Sequence, residues 1–378
     1  MHVLVTADTV GGVWSYAREL VTGLAQRDVR VTLVGLGRIP TSAQTEWLRP
    51  LDNVDFRPTA FRLEWMPDSA PDIAASTEYL LRVIEEVKPD LLHFNQYCYG
   101  GIAGDLPRIV VAHSDVVSWW AAVHHSKPEP GEWINWYRDV VGQGLHAATE
   151  VVAISNVVRS DLQRHFGVAG ARVIYNGTRP SPFAGQDCKQ PVVLTVGRVW
   201  DQAKNVALLM KAQLDCPVFV AGSPDNPASG GQAELPAAAN VTFAGELGEP
   251  ELQRLYARTA IYVATSQYEP FGLAPVEAAF SRCAIVANDI PTFHELWGDS
   301  ILYFKHNNAS SLREIVARLL SDGDLRQAYA ERAYRHALGL FTSDAMTERY
   351  IQLYRWLAES HSVSTSNVTA IKGAHAIS

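Results

Sequence analysis

The chain has 378 residues, more than one hydrophobic core ordinarily supports, so its length favours two domains. Apolar residues make up 47% and charged residues 19%, as in soluble globular proteins, and no uninterrupted apolar stretch is long enough to span a bilayer. The net charge of −8 is spread evenly and no basic stripe is present, which argues against nucleic acid as a partner.

The cysteines are well separated and form no CxxC pair, which argues against a disulfide framework or a zinc site. The first residues lack both a basic start and a long apolar run, so they do not resemble a signal peptide. We therefore expect a cytoplasmic protein with reduced thiols.

Short β-branched segments alternate with amphipathic helical patterns from the N-terminus to about residue 175. The predicted strands are 2–7, 30–35, 90–95, 108–113 and 150–155, and the predicted helices are 13–27, 71–87 and 133–148. Such alternation is typical of βαβ units around a buried parallel sheet. It predicts an N-terminal, doubly wound, Rossmann-like domain over residues 1–180.

Residues 176–190 are rich in Gly, Pro and polar residues, which suits a linker. A second series follows, with strands predicted at 192–196, 218–221, 241–243, 261–264, 284–287 and 301–303. Its predicted helices are 205–213, 250–259, 272–281, 309–321 and 325–338, and together these elements predict a second Rossmann-like domain over 181–342. A last amphipathic helix is expected within 343–360, ending near 358, and the Ser/Thr/Ala-rich segment 361–378 is expected to be a disordered tail.

The predicted fold is therefore α/β, with two doubly wound domains facing an interdomain cleft. Open parallel sheets bind ligands beyond the carboxyl ends of their strands, where helices begin. The first such turn contains Gly11 and Gly12, which let the backbone come close to a ligand, although a purely structural turn is an equally good interpretation.

The corresponding turn of the second domain contains Gly197, Arg198 and Lys204. Two cations at the mouth of a cleft suit a diphosphate, because arginine grips oxygens in pairs and lysine supplies a mobile charge. Two solvated surface cations are the alternative.

The third segment reads EPFGLAPVE, from Glu269 to Glu277, with Phe271, Gly272 and Leu273 at a predicted helix start. Amides at a helix N-terminus favour an anion, and a carboxylate can accept hydrogen bonds from sugar or ribose hydroxyls. Solvated acidic residues are again the alternative.

Taken together and in this order, the three segments resemble the retaining glycosyltransferases of family 4, which have the GT-B fold. The resemblance runs from about residue 2 to about residue 358 and rests on the paired glutamates, the GR…K signature and the N-terminal glycine loop with Gly12. It implies that Arg198 and Lys204 hold the diphosphate of a nucleotide-sugar donor, and that Glu277 binds its ribose. It also implies that Glu269 and the backbone of Phe271, Gly272 and Leu273 hold the donor sugar near the anomeric carbon. His113, at the end of a first-domain strand, matches the position where the family often carries a histidine facing that sugar.

Family members with lipid acceptors often carry a basic amphipathic face on the first domain, and this chain departs from that pattern. Residues 113–146 contain only Lys127 and Arg138 as full cations, which argues against recruitment to an anionic membrane. The region is instead aromatic, with Trp119, Trp120, Trp133, Trp136 and Tyr137. Aromatic side chains lining a cleft would suit a sugar, an aromatic compound or another ring-bearing natural product as acceptor, although Trp136 and Tyr137 are equally well interpreted as core residues.

No acidic or histidine cluster has the spacing of a metal site, and the HE pair at His294 and Glu295 lacks the second histidine of a zinc helix. We therefore expect neither metal nor cofactor, with a UDP- or GDP-linked sugar as co-substrate. A nucleotide-sugar epimerase of the same fold and a non-catalytic nucleotide-sugar-binding protein are the alternatives. Incubation with nucleotide sugars distinguishes the three, because a transferase releases the nucleotide, an epimerase alters the sugar and a binding protein does neither.

Overall fold

The computed structural model describes residues 1–180, 188–226 and 238–375, with side chains described up to His361. The first domain contains a parallel seven-stranded sheet. Its strands are β1 (His2–Asp8), β2 (Arg30–Leu36), β3 (Val54–Pro58), β4 (Leu91–Phe94), β5 (Arg108–Ala112), β6 (Glu150–Ala153) and β7 (Arg172–Val173). Their order is β3-β2-β1-β4-β5-β6-β7, so the chain reverses its winding between β1 and β4.

The helices of this domain are α1 (Gly12–Ala25), α2 (Ala70–Val87), α3 (Val116–His124), α4 (Glu132–Ala147) and α5 (Asn156–Phe166). The helices α3 and α5 and the edge strands β3 and β7 were not predicted from the sequence. The segment VVSWWAAVH of α3 has no polar face, so its periodicity does not reveal a helix, whereas β3 lies at the sheet edge and is only half-buried.

The second domain contains a parallel six-stranded sheet. Its strands are β8 (Gln190–Val196), β9 (Val218–Ala221), β10 (Val241–Gly245), β11 (Thr259–Ala264), β12 (Ala284–Asn288) and β13 (Leu302–Phe304), in the order β10-β9-β8-β11-β12-β13. Its helices are α6 (Ala207–Ala212), α7 (Glu249–Arg258), α8 (Leu273–Phe280), α9 (Pro291–Trp297), α10 (Ala309–Ser321) and α11 (Gly323–Leu340). The helix predicted at 205–213 corresponds to α6, which begins only at Ala207 because the 3-10 turn Gln202–Lys204 precedes it.

The last helix, α12 (Ser343–His375), packs back on the first domain. A Cβ at Gly23 of α1 would lie 2.3 Å from Thr347 Oγ1 of α12, so the absence of a side chain at Gly23 allows this close approach. The helix continues beyond the end predicted near residue 358, through residues 361–375. No proline and only one glycine, Gly373, occur in that stretch, and extending a formed helix is easier than nucleating one.

The chain crosses between the domains twice, and the two passes touch. Thr178 forms a bridge with Thr342, and a Cβ at Gly177 would lie 2.2 Å from the Thr342 carbonyl oxygen, so this position requires glycine. The rest of the predicted linker 176–190 includes residues 181–187, which lie outside the described part of the chain. The crossing brings the carboxyl ends of both sheets to one cleft.

Candidate active site

The glycine turn and the turn with Arg198 each lie at the point where the strand order of their own sheet reverses. The glycine turn follows β1, whose neighbours are β2 and β4, and the turn with Arg198 follows β8, whose neighbours are β9 and β11. Such reversals leave a crevice between diverging loops. The two crevices face each other, since a Cβ at Gly11 would lie 3.7 Å from Arg198 Cδ. Gly11 has a φ of 95°, which a side chain would strain, and the neighbouring Gly12 is exposed.

The Arg198 guanidinium is held from two sides and remains partly open to solvent. Its Nη2 lies 2.6 Å from Asp201 Oδ2, and its Cζ lies 5.1 Å from the centre of the Trp200 ring. The side chain is 39% exposed, whereas that of Asp201 is 3% exposed. The cation is thus oriented by a buried carboxylate and a half-buried ring, while part of the guanidinium side chain remains accessible.

Lys204 and Glu269, which the sequence analysis assigned to one site, are in direct contact. Lys204 Nζ lies 2.5 Å from Glu269 Oε2, and Ser266 Oγ donates to the same oxygen at 3.0 Å. Gly197 makes room for the lysine, because a Cβ there would lie 3.3 Å from Lys204 Cδ. The contact links the turn after β8, which carries Arg198 and Lys204, to the loop after β11, which carries Glu269.

The loop after β11 turns sharply into α8. Gly272 precedes the helix with a φ of 89°, and a Cβ there would lie 3.2 Å from Glu269 Cγ. Leu273 is the first helical residue, so its amide is among those that helix geometry leaves without a carbonyl partner. The Phe271 side chain is buried elsewhere, with its ring centre 5.4 Å from that of Phe341, so only its backbone is available to a ligand.

Glu277 lies in the second turn of α8, half-buried and facing the first domain. Burial raises its pKa to about 7, while the Arg18 charge of α1 opposes that shift. Arg18 also forms an ion pair with Glu249 of α7, across the cleft. An acceptor of hydroxyl hydrogen bonds therefore lies beside a first-domain cation.

His113 follows β5 and is buried beside the first-domain turn. Asn95 donates its amide to Thr6 O at 2.6 Å, so its Oδ1 is the atom that accepts from His113 Nε2 at 2.7 Å. Burial lowers the His113 pKa to about 3. The imidazole is therefore neutral with its proton on Nε2, which makes Nδ1 a hydrogen-bond acceptor and not an acid.

Other interdomain contacts were not found by sequence reasoning. Glu295 of α9 accepts hydrogen bonds from the Asn156 and Val157 amides, at 2.6 Å and 2.9 Å, and so caps α5 from the opposite domain. Ser155 Oγ donates to Pro270 O at 2.8 Å, next to Glu269. A serine immediately before a helix, such as Ser155, is a recognisable N-cap in the sequence. No neighbouring residue in the sequence indicates its partner in the other domain.

The aromatic residues of the first domain separate into two groups. Tyr137 is buried in the core, where its hydroxyl accepts from the Val116 amide at 3.1 Å, and Trp133 donates to Met66 O. Trp119 and Trp120 of α3 are half-buried at the edge of the cleft. Trp119 Nε1 donates to Asp201 Oδ1 of the second domain at 3.0 Å.

In the part of the chain that the structure describes, no three His, Cys, Asp or Glu side chains are grouped so that they could hold a metal ion. Within the same residues, no helix is both long enough and apolar enough to cross a membrane.

The chain is similar to known proteins over both halves. A model of Glycosyltransferase Family 4 matches residues 10–181, and a model of Glycosyl transferases group 1 matches residues 182–336. The O-antigen chain mannosyltransferase of Salmonella typhimurium strain LT2 is 26% identical over 234 residues, which are 60% of this chain and 64%, slightly under two thirds, of that protein.

Solved structures match nearly the whole chain. Sucrose-phosphate synthase from Thermosynechococcus elongatus has a TM-score of 0.76 at 20% identity, covering 95% of this chain and 100% of that one. Anabaena HepE in complex with UDP-glucose has a TM-score of 0.71 at 18% identity, covering 96% and 100% of the two chains. The chain belongs to the family 4 glycosyltransferases and has the GT-B fold.

Proposed function

We propose that this glycosyltransferase moves a hexose from a UDP- or GDP-linked donor to an acceptor hydroxyl with retention at the anomeric carbon, in the cytoplasm. The observation that carries the proposal is the pairing of Lys204 with Glu269 beside Arg198, opposite the glycine turn of the first domain. A mannosyltransferase among the relatives and UDP-glucose bound by a structural neighbour support a nucleotide-sugar donor.

The donor diphosphate would lie between Arg198, Lys204 and the amides at the start of α8. Both cations are partly exposed, at 39% and 20% of their side chains, so they can exchange their present carboxylate partners for phosphate oxygens. Glu277 would accept hydrogen bonds from the ribose hydroxyls. Glu269, released by Lys204, would do the same for the sugar.

The reaction then proceeds on one face of the sugar. The bond between the anomeric carbon and the diphosphate oxygen breaks, and its electron pair goes to that oxygen, where Arg198 and Lys204 stabilise the charge. The acceptor oxygen bonds to the anomeric carbon from the same face, and its proton passes to the departing diphosphate oxygen. His113 would accept a hydrogen bond from a sugar hydroxyl through Nδ1.

The acceptor side of the cleft belongs to the first domain. Trp119 and Trp120 offer aromatic faces at its edge, which suits a sugar, an aromatic compound or a ring-bearing natural product. Cations are sparse in this region, so the acceptor is not expected to be presented by an anionic membrane.

A ligand screen followed by a turnover assay tests the proposal. UDP, GDP and ADP are first compared by thermal shift, since a ligand at about 100 times its Kd stabilises a protein by roughly 2.7 kcal/mol. Sugars linked to the stabilising nucleotide are then incubated with the protein. Nucleotide release with an α-linked product from an α-linked donor supports the proposal, whereas inversion, an altered donor sugar or binding without turnover would contradict it.

A further inference from the structure

One buried carboxylate holds the turn that carries both cations. Asp201 Oδ2 lies 2.6 Å from Arg198 Nη2, and Asp201 Oδ1 accepts from the Ala203 amide at 2.9 Å. The second contact caps the short turn that ends at Lys204, whose amide donates to the Asp201 carbonyl at 2.9 Å. The position of Arg198 and the path of the chain to Lys204 therefore both depend on Asp201.

The same carboxylate is bound by the other domain. Trp119 Nε1 donates to Asp201 Oδ1 at 3.0 Å, and Trp119 lies on α3 of the first domain, on the opposite side of the cleft. This hydrogen bond forms only when the two domains approach each other as they do here. It orients the carboxylate whose other oxygen orients Arg198.

We propose that Asp201 is a positioning residue that aligns Arg198 only while Trp119 is bound to it, so that domain closure is coupled to alignment of the cation. The inference rests on the proposed role of Arg198 at the donor diphosphate. In the open protein the Asp201 side chain loses one of its partners and the guanidinium is held less firmly. Transfer to water before the acceptor is enclosed is thereby slowed.

Hydrolysis of the donor without acceptor isolates this coupling, because it needs Arg198 but no acceptor contact. The donor is UDP-glucose or GDP-mannose, whichever nucleotide stabilises the protein in the screen. Trp119→Phe keeps an aromatic side chain, although a smaller one, and removes the indole N–H, and we expect kcat to fall about tenfold with donor KM changed less than about twofold. Trp356→Phe, an exposed residue of α12 remote from the cleft, is the matched control and should leave both constants unchanged.

A double-mutant cycle tests whether Trp119 acts through Asp201. Asp201→Asn keeps an oxygen that can accept from Trp119 and Ala203 but loses the ion pair with Arg198, so we expect kcat to fall and the further effect of Trp119→Phe to vanish. Additive effects of the two substitutions, or a Trp119→Phe variant equal to the Trp356→Phe control, would overturn the proposal. A Trp119→Phe effect confined to acceptor KM would also overturn the proposal, since Trp119 would then only bind the acceptor.

Two further controls keep the outcomes distinct. Thermal unfolding of each variant establishes that it is folded, and if Asp201→Asn does not fold, the comparison of the two tryptophan variants still decides. Arg198→Ala separates this inference from the proposed function. If Arg198→Ala hydrolyses the donor normally, the donor site itself is misassigned. If Arg198→Ala loses hydrolysis while Trp119→Phe hydrolyses the donor normally, only the coupling is refuted.

Discussion

At the scale of single residues, the proposed site separates groups that would act on the leaving diphosphate from groups that would only hold the donor. In this proposal Arg198 and Lys204 face the position where negative charge grows, while Glu277 faces the ribose, which does not react. Charge stabilisation that increases in the transition state raises kcat, and binding that is equal in both states changes KM.

Arg198→Ala and Lys204→Ala should therefore lower kcat more than they raise donor KM. Each lost charge-assisted contact should cost about 1.5–3 kcal/mol, or roughly ten- to a hundred-fold in rate. Glu277→Ala should mainly raise donor KM. Steady-state kinetics on the three variants measures the pattern, and a Glu277→Ala variant with reduced kcat beside intact kcat in the other two would reverse the assignment of roles.

The raised pKa of Glu277 predicts how donor binding depends on pH. With a pKa of about 7 the carboxyl is protonated in acid, where it accepts ribose hydrogen bonds less well, and ionised above neutrality. The Kd for UDP or GDP should therefore increase as pH falls from about 8 to about 5.5. Calorimetry on Glu277→Gln should show a flatter profile, with Glu314→Gln, on the exposed face of α10, as control.

The cations proposed to bind the diphosphate would take the place of a divalent metal. Since Arg198, Lys204 and the start of α8 are proposed to meet the diphosphate charge, transfer should continue in the presence of a chelator. Activity that disappears with EDTA and returns on adding manganese or magnesium would refute this expectation.

At the scale of elements, the packing of α12 on α1 depends on Gly23. An added Cβ would meet Thr347 Oγ1 at 2.3 Å, and Thr347 is fully buried. Gly23→Ala should lower the free energy of unfolding by about 1–3 kcal/mol in spite of the better helix propensity of alanine. Thr347→Ala should rescue that loss in the double variant.

Gly142 in α4 is the matched control for this prediction, because a Cβ there meets nothing within 4 Å. Gly142→Ala should be neutral or stabilising by up to about 1 kcal/mol. Denaturant unfolding measures all four proteins. Equal stabilities of Gly23→Ala and Gly142→Ala would show that α12 does not pack tightly at this point.

At the scale of the whole molecule, contacts near the crossing of the chain and across the cleft connect the two domains. Glu295 caps α5 near the crossing of the chain, Trp119 binds Asp201 at the cleft, and Arg18 pairs with Glu249. The Glu295 contact lies close to the bridge between Thr178 and Thr342, where a rotation of one domain relative to the other would displace atoms least. The other two connect the facing edges of the cleft.

We therefore expect the domains to open in solution and to close around the donor. Small-angle scattering should give a smaller radius of gyration with saturating nucleotide than without it. Trp119→Phe should weaken this compaction and Trp356→Phe should not. An identical radius in both conditions would argue for a cleft that does not move.

The sequence by itself predicted the alternation of strands and helices, since strand and helix periodicities are local properties of neighbouring residues. It also predicted that Lys204, Arg198 and Glu269 belong to one site, through motifs whose order and spacing could be compared with a family. Local patterns failed for α3, whose residues are apolar on every side.

The tertiary structure alone decided which atoms meet across the cleft. In the sequence, nothing distinguishes Asp201 from other acidic residues in loops. Folding brings it into contact with Trp119, which is 82 residues away along the chain. Glu295 was discounted as half of a zinc motif, yet it caps a helix of the other domain. His113 could be chosen from sequence, but its neutral state and free Nδ1 follow from burial and from the orientation of Asn95. Burial, pKa and partner identity are set by the relative position of distant segments, and no pattern among neighbouring residues encodes that position.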